Sequence, residues 1–293
     1  MRKTNPLFES DSDGVDSDEI NFKEEFGGMP KSIMYFNKSN DLMAYLDEGG
    51  SKTANTIGHK KRVLLSGSEV RYSVYIPDQA VFILKYYTKE NYRVLDPFMG
   101  RGTRSQMSLL LDRNYVGYDI DPETVQLNEQ LSVRNGFSNE KYTYICGDGT
   151  ELEEYKNDSN CFEAVFTCPP YYDAEVYSGK PGDLSYMSNE DFDINIDKMF
   201  NNLFRLIKES NYETNEIYPI IITIGSKREG PKGYFDMDYI FQNIARKNGL
   251  ILWDKMLTEN RSPFLGFTFR RNYKKGFLNK VHETTLVFVK MKQ

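Results

Sequence analysis

Cysteine, histidine and tryptophan are scarce in this chain of 293 residues, which contains three, two and one of them. The cysteines Cys146, Cys161 and Cys168 form no C-x-x-C pair, and only His59 and His282 could join them as ligands. This scarcity argues against a metal site and a disulfide framework, and it suits a reducing compartment. We therefore expect no metal and a cytoplasmic location, in a bacterial cell or in the host cell of a virus.

Long apolar runs are also missing from the sequence, and Met1 opens no signal-peptide pattern. We therefore expect a soluble protein with no membrane partner. The length suffices for one large α/β domain with extensions, or for two small domains. Aromatic residues are plentiful, with 21 Tyr and 19 Phe. Most of them must lie in the core, although a surface that stacks nucleobases would use the same residues.

Positive charge is scarce overall but unevenly distributed. The net charge is −6, whereas residues 227–293 carry 14 basic and 6 acidic side chains. Residues 1–25 carry 3 basic and 8 acidic side chains. Binding of a polyanion depends on a local basic face rather than on the total charge. The C-terminal quarter can provide such a face, although an ordinary solvated surface explains the same charges.

The composition divides the chain into three parts. Residues 1–30 are acidic and rich in Ser and Gly, which predicts a disordered tail. Residues 31–76 are polar and are expected to form an N-terminal arm with one short helix. Residues 77–293 show the regular periodicity of a folded domain.

Strand and helix patterns alternate within residues 77–293. They predict strands over 93–96, 115–120, 142–146, 162–167, 218–224, 250–257 and 284–289, and helices over 78–88, 103–112, 122–134, 190–208 and 237–247. Such alternation predicts an α/β fold with a doubly wound, mostly parallel sheet of seven strands.

The string Asp96-Pro-Phe-Met-Gly-Arg-Gly-Thr103 follows the first of these strands. Gly100 and Gly102 allow a tight turn and a close approach of the backbone to a ligand. The helix that begins near Thr103 directs its first amides to the same place, which suits an anionic group. Asp96 can face an ammonium group, directly or through water. A dinucleotide-binding turn is the alternative, but the G-x-G-x-x-G spacing is absent.

Acidic residues follow the next two strands. Asp119 lies about 20 residues beyond the glycine turn, where a carboxylate can accept both hydroxyls of a ribose. Asp121 with Pro122 fits a helix cap better, although both acids could be caps. Asp148 follows the third strand and can accept a hydrogen bond from an adenine amine, or can simply shape a turn.

A second string, Thr167-Cys-Pro-Pro-Tyr-Tyr172, follows the fourth strand. With Asp96–Thr103 and Gly117–Pro122, it resembles the DNA amino-methyltransferases, which methylate exocyclic nitrogens of adenine or cytosine. Residues 280–290 resemble the closing strand of that family, and the likeness covers roughly residues 68–291. Within the family the chain is similar to a phage and bacterial subgroup. The resemblance implies the class I, Rossmann-like methyltransferase fold, with 77–293 as its catalytic domain, and a role in restriction–modification or phage DNA modification.

The resemblance also implies the cofactor and the site. The cofactor is S-adenosylmethionine, and the substrate is double-stranded DNA with one base flipped out. The implied residues that bind the cofactor are Asp96, Phe98, Gly100, Gly102, Thr103, Asp119, Ile120 and Asp148. The implied catalytic residues are Cys168, Pro169, Pro170 and Tyr171. An exocyclic amine is a poor nucleophile, and acceptors at residue 168 and at the Pro169 carbonyl restore its lone pair, while Tyr171 stacks on the base.

Cys168 departs from the Asp, Asn or Ser that the family has at this position. A thiol accepts hydrogen bonds weakly. Cys168 therefore marks a working replacement of Ser that tilts the choice toward cytosine N4 over adenine N6, a slow enzyme, or a chain that has lost the reaction. Covalent attack on cytosine is discounted because that chemistry has Cys after Pro.

Basic and aromatic residues are interleaved between Thr258 and Lys280, in a stretch with the composition of a loop. Such a segment can contact phosphates and stack bases. The predicted residues that bind nucleic acid are Arg261, Arg270, Arg271, Lys274 and Lys275. A solvated hairpin is the simpler explanation. Two other functions remain open: an RNA methyltransferase of the guanosine N2 type, and an inactive methyltransferase fold that binds nucleic acid.

Overall fold

Strands and helices alternate along the chain in the computed structural model. The structure describes residues 30–46, 75–170, 184, 187–228, 233–259, 272–278 and 281–292, together with the backbone of 61–63 and 69–71. Every element named below belongs to one unit, Ser32–Gln293. Apart from Pro30, the predicted acidic tail lies outside the described residues.

The described residues form twelve β-strands. They are β1 Ile33–Met34, β2 Lys61–Val63, β3 Glu69–Arg71, β4 Arg93–Asp96, β5 Asn114–Asp119, β6 Tyr142–Cys146, β7 Ala164–Thr167, β8 Pro219–Ile224, β9 Lys227–Arg228, β10 Tyr234–Phe235, β11 Ile251–Glu259 and β12 His282–Val289.

Six α-helices lie wholly within the described residues. They are α1 Asn40–Met43, α2 Pro77–Tyr87, α3 Thr103–Leu110, α4 Pro122–Arg134, α5 Asn189–Leu206 and α6 Met237–Lys247. Local chemistry sets where several of them begin. Pro77 and Pro122 occupy first-turn positions, where the missing N–H costs nothing. The Ser188 side chain caps α5, and the Asp236 side chain caps α6.

Eight strands form one sheet in the order β1-β11-β12-β8-β7-β4-β5-β6. Strands β6, β5, β4, β7 and β8 run parallel to one another, and β12 is antiparallel to both β8 and β11. The chain leaves β4 toward β5 and β6, and later returns to the other side of β4 to form β7 and β8. The strand order therefore reverses at β4 and β7, where open α/β sheets bind ligands at the carboxyl ends of their strands.

The main core lies between the sheet and helices α5 and α6. It joins Leu95, Val165 and Ile220 of the sheet to Phe200 and Leu203 of α5, all fully buried. All six residues of β8 are buried, as expected of a central strand covered on both faces. The crossovers through α3 and α4 connect strands on the other half of the sheet, so these helices cover its opposite face.

The sequence analysis predicted the sheet well but counted one strand too few. Strand β1 adds an eighth, pairing Ile33 with Leu257 and Met34 with Thr258. Two residues are too short to produce a periodic pattern. The hairpins β2–β3 and β9–β10 were not predicted either, because their strands have only three and two residues. Helix α5 ends at Leu206, before the predicted Lys208, because Ile207 adopts an extended conformation and bridges to Phe162.

Candidate functional site

The predicted cofactor-binding residues lie at the carboxyl ends of β4, β5 and β6. Register pairs Asp96 with Gly117 and Asp119 with Cys146, so the three strands end side by side. Phe98, Gly100, Gly102 and Thr103 follow β4, Ile120 follows β5, and Asp148 follows β6. The structure therefore brings the whole predicted set to one edge of the sheet.

The glycine turn between β4 and α3 requires its glycines. Gly100 and Gly102 have φ values of +56° and +96°, in the left-handed region that side chains avoid. A Cβ on Gly102 would also lie 2.7 Å from Leu131 Cδ1. The backbone N–H of Met99 donates to the Tyr118 carbonyl at 2.8 Å, which ties the turn to β5.

A buried polar network supports this turn from behind. The Asn128 side chain donates to the Gly100 carbonyl at 2.8 Å and accepts from the Ser105 hydroxyl at 2.6 Å. The Ser105 hydroxyl lies 2.9 Å from the Gly102 carbonyl. Gln106 continues the network to Ser132 at 2.9 Å. Sequence analysis missed these residues. The sequence does contain a run of polar residues within the predicted helix α3, and in the structure all residues of α3 from Thr103 to Leu109 are buried.

Asp96 is fully buried, and both of its carboxylate oxygens are occupied. Arg104 Nε and the Tyr115 hydroxyl each donate to Oδ2 at 2.7 Å. The Thr167 hydroxyl donates to Oδ1 at 2.7 Å, and the Phe98 N–H donates at 3.1 Å. Asp96 was expected to contact an ammonium group of a ligand. In the structure its carboxylate instead fixes the turn against α3, β5 and β7.

Arg104 forms the charged partner of Asp96 inside the protein. Burial alone would lower the pKa of the Arg104 guanidinium, but the Asp96 carboxylate and other nearby groups raise it above its ordinary value. The guanidinium also donates to the Phe98 carbonyl and lies over the Tyr75 ring, 5.4 Å from its centroid. This charge is therefore fully committed to holding the turn.

The environment of Asp119 disfavours the charged form of its carboxyl. Burial raises the pKa of its carboxyl from 3.8 to about 6, although the N–H groups of Asp121 and Gly100 partly oppose the shift. These two N–H groups donate at 2.9 and 3.2 Å. Hydrogen-bond donors stabilise the charged form of a carboxylate, so a ligand that brings further hydroxyl groups to Asp119 would bind favourably here.

Asp148 and Gly149 bring the end of β6 against the glycine turn. The N–H and hydroxyl of Thr150 both donate to Asp148 Oδ1 at 2.8 Å, which leaves Oδ2 as the acceptor for a ligand. A Cβ on Gly149 would lie 1.8 Å from the carbonyl oxygen of Pro97. Sequence analysis missed this contact, because it joins segments about fifty residues apart.

Gly149→Ala is expected to destabilise the protein by about 1–3 kcal/mol, because backbone rather than a flexible side chain blocks the new methyl group. Gly147→Ala is the matched control in the same loop. Its Cβ would meet Tyr118 at 3.6 Å, an ordinary contact, so its cost should be small. Urea unfolding of the two variants measures the difference; equal midpoints would contradict the close approach of these loops.

The second motif lies at the end of β7, directly beside β4. Thr167 is fully buried, Cys168 and Pro170 are half-buried, and Pro169 is buried. The hydrogen bond from Thr167 to Asp96 joins the two motifs across the switch point of the sheet. Tyr171 lies outside the described residues.

Tyr75 is a further site residue that the sequence analysis missed. Its hydroxyl lies 2.8 Å from the Thr223 hydroxyl, which in turn lies 2.9 Å from Thr285. Its ring packs edge-on against Phe166, one residue before Thr167, at 5.7 Å. Burial raises the pKa of its hydroxyl, so the group stays protonated. No local pattern marks a single tyrosine that precedes a helix.

The predicted nucleic-acid residues are only partly described. Lys274 and Lys275 are exposed in a hydrogen-bonded turn, in which the Gly276 N–H donates to the Tyr273 carbonyl at 3.0 Å. Arg261, Arg270 and Arg271 lie outside the described residues. Among the described residues, no group of three or more His, Cys, Asp or Glu is arranged to hold a metal. No described helix is long and apolar enough to cross a membrane.

Comparison with protein families gives one match. Residues 77–130 match the family model described as DNA methylase. The matched segment runs from the start of α2 into α4 and contains both the glycine turn and Asp119. The predicted catalytic corner at Thr167–Tyr171 lies outside it. No curated protein matches the chain.

Solved structures are similar to this chain at low sequence identity. The [4+2]-cyclase SpnF is 14% identical, with a TM-score of 0.51, over 73% of this chain and 82% of that one. A SAM-dependent methyltransferase from Methanosarcina mazei is 12% identical, with a TM-score of 0.49, over 76% and 100%. TrmN from Thermus thermophilus is 13% identical, with a TM-score of 0.47, over 74% of this chain and 49% of that one.

The chain spans about half the length of TrmN and most of the other two. The fold is the Rossmann-like, class I methyltransferase fold, and the match to the DNA methylase family covers the glycine turn and Gly117–Pro122.

Proposed function

We propose that the protein is an S-adenosylmethionine-dependent methyltransferase that acts on an exocyclic amine of a base in double-stranded DNA. The observation that carries the proposal is the Thr167–Asp96 hydrogen bond of 2.7 Å, which joins the cofactor turn to the Cys-Pro-Pro corner. A methyl donor held by the turn and an amine held at the corner would then lie side by side. Positioning of this kind supplies much of the rate in a direct transfer.

The residues around the turn fit the cofactor. Left-handed glycines and the bare first amides of α3 suit the carboxylate of its methionine part. Asp119 suits the ribose hydroxyls and Asp148 Oδ2 the adenine amine, while Phe98 and Ile120 are half-buried beside them. When bound, S-adenosylmethionine supplies an electrophilic methyl group on a positively charged sulfur.

The corner at the end of β7 holds the amine. We propose that Cys168 Sγ and the Pro169 carbonyl accept the N–H groups of a flipped base, and that Tyr171 stacks on it. Pro169 and Pro170 fix φ, so the carbonyl is held in place. With Cys168 as the acceptor, cytosine N4 is favoured over adenine N6.

We propose three parts for the chain: an acidic tail over 1–30, an arm over 31–76 and the catalytic domain over 77–293. Lys274 and Lys275, with Arg261, Arg270 and Arg271, would contact the DNA. The bacterial or viral-host cytoplasm and a role in restriction–modification or phage DNA modification fit the same proposal. An RNA substrate is the second candidate, and labelled RNA tests it beside DNA.

Cys168→Ser is expected to retain or raise activity, because oxygen accepts hydrogen bonds better than sulfur. Cys168→Ala should lower activity about 10–100-fold, which corresponds to the roughly 1–3 kcal/mol of one such contact. Transfer of tritium from labelled cofactor to DNA measures both.

Cys161→Ser is the control, because Cys161 is also half-buried but lies at the opposite end of β7. If Cys168→Ser is inactive while the unchanged protein is active, the sulfur is a nucleophile and amino methylation is the wrong mechanism. If no variant labels DNA or RNA, the chain is a binding protein built on this fold.

A further inference from the structure

The short hairpin β9–β10 lies at the same edge of the sheet as the proposed catalytic corner. Strand β8 runs parallel to β7 and ends at Ile224, and β9 begins at Lys227. Glu259, the end of β11, pairs with His282, the start of β12. The hairpin and the connection between β11 and β12 therefore both leave the carboxyl edge, where Cys168 lies.

The hairpin and that connection are in contact. The guanidinium of Arg228 lies over the ring of Phe277, 4.3 Å from its centroid. Phe277 closes the turn that presents Lys274 and Lys275, since its N–H donates to the Asn272 carbonyl at 3.2 Å. Two segments separated by some forty residues thus form one surface.

The base of the hairpin is fixed to the sheet. Ser226 is buried, and its hydroxyl accepts from the Met237 N–H at 3.0 Å and lies 3.2 Å from Asp238 Oδ1. Asp238 Oδ2 accepts from the Thr284 hydroxyl at 2.8 Å and pairs with Lys255 Nζ at 3.1 Å. These bonds join the hairpin to β11 and β12, so the surface has a rigid support.

The side chains that this surface presents have one chemical character. Arg228, Lys274 and Lys275 are exposed, and Tyr234 and Tyr273 are 47% and 74% exposed. Cations interleaved with aromatic rings suit a polyanion that carries bases, such as a nucleic acid. The positive charge is local to this surface, because the chain as a whole carries a net charge of −6.

We propose that the β9–β10 hairpin is a second DNA-contacting element, in which Arg228 binds a backbone phosphate next to the flipped base and Tyr234 packs against the strand. The proposal rests on the proposed function, because it takes DNA as the substrate. It adds, to the contacts of the predicted basic segment, a contact that holds the duplex on the β8 side of the proposed catalytic corner.

The test compares Arg228→Gln with the full-length unchanged chain, using a fluorescein-labelled DNA duplex of mixed sequence at several salt concentrations. Loss of one phosphate contact is expected to make the slope of log affinity against log salt shallower by about one unit. Arg228→Lys keeps the charge and should keep the slope. Arg246→Gln is the matched control, because Arg246 is exposed in the last turn of α6, which leads to the opposite edge of the sheet.

Calorimetric binding of S-adenosylmethionine shows whether each variant retains its fold. If Arg228→Gln does not, Tyr234→Ser takes its place, and it should weaken binding of the duplex about tenfold. An unchanged affinity of Tyr234→Ser would then overturn the hairpin proposal. If the unchanged chain binds and methylates DNA but Arg228→Gln behaves like Arg246→Gln, the hairpin proposal is overturned and the proposed function stands. If the unchanged chain neither binds nor methylates DNA, both fall. Tighter binding of an RNA duplex through Arg228 would overturn DNA as the partner.

Discussion

Asp96→Asn is expected to lower the free energy of unfolding by about 3–5 kcal/mol, the cost of breaking a buried ion pair from one side. The Asp96 carboxylate accepts from Arg104, Tyr115 and Thr167, each at 2.7 Å. An amide at this position offers one acceptor and places an NH₂ group against donors. The Arg104 charge then stays buried without its counter-charge.

Urea unfolding measures this loss, and Asp158→Asn is the control because Asp158 is exposed. The double variant Asp96→Asn/Arg104→Gln should lose less free energy of unfolding than the two single variants lose together. The reason is that the same ion pair is broken in all three proteins, and the double variant leaves no unpaired charge. If Asp96→Asn kept its stability but lost cofactor binding, Asp96 would contact the ligand directly, as the sequence alone suggested.

Asp119→Asn should raise the free energy of unfolding above pH 7 and, at the same time, weaken binding of the cofactor. The raised pKa of about 6 means that the folded protein binds this proton more tightly than the unfolded chain, whose carboxyl has a pKa near 3.8. Stability therefore falls as the pH rises from about 4 through 6. Above pH 7 the ionised carboxylate costs about 1–3 kcal/mol, which Asp119→Asn should recover.

The same change should weaken binding of S-adenosylmethionine by about 10–150-fold, equivalent to the 1.5–3 kcal/mol of hydrogen bonds to a charged group. In the unchanged protein, affinity should decline as the pH falls below about 6, and in Asp119→Asn it should not. Unfolding at pH 8 and pH 3 supplies the internal control, because at pH 3 both states are protonated and the two proteins should match. A variant that binds the cofactor normally would remove Asp119 from the site.

The parts of the site that the sequence revealed depend on local patterns. A β-rich run before a glycine turn, or before an acid such as Asp119, fixes a strand end within a few residues. Parallel strands then bring those ends to one edge, so the sequence indicated the neighbourhood of Asp96, Asp119 and Asp148 without any tertiary contact. Helix α6 and strands β4 and β6 were predicted with the bounds that they have in the structure.

The partners of these residues could not be predicted, because they come from distant segments. Asp96 was expected to face a ligand, but it is enclosed by Tyr115 and Thr167, which come from two different strands. Asn128 reaches Gly100 across 28 residues, and a polar residue in a helix gives no sign of such a contact. Strand β1 and the β9–β10 hairpin are set by pairing rather than by periodicity, since each strand has only two residues.

The most direct test of the account is mass analysis of nucleosides from DNA incubated with the full-length protein and S-adenosylmethionine. Amino methylation predicts N4-methyldeoxycytidine, or N6-methyldeoxyadenosine if adenine is the target, and predicts that Cys168→Ser still makes the same product. 5-Methyldeoxycytidine would contradict the proposed mechanism. Methylated nucleosides found only in RNA, or in neither nucleic acid, would contradict the proposed function.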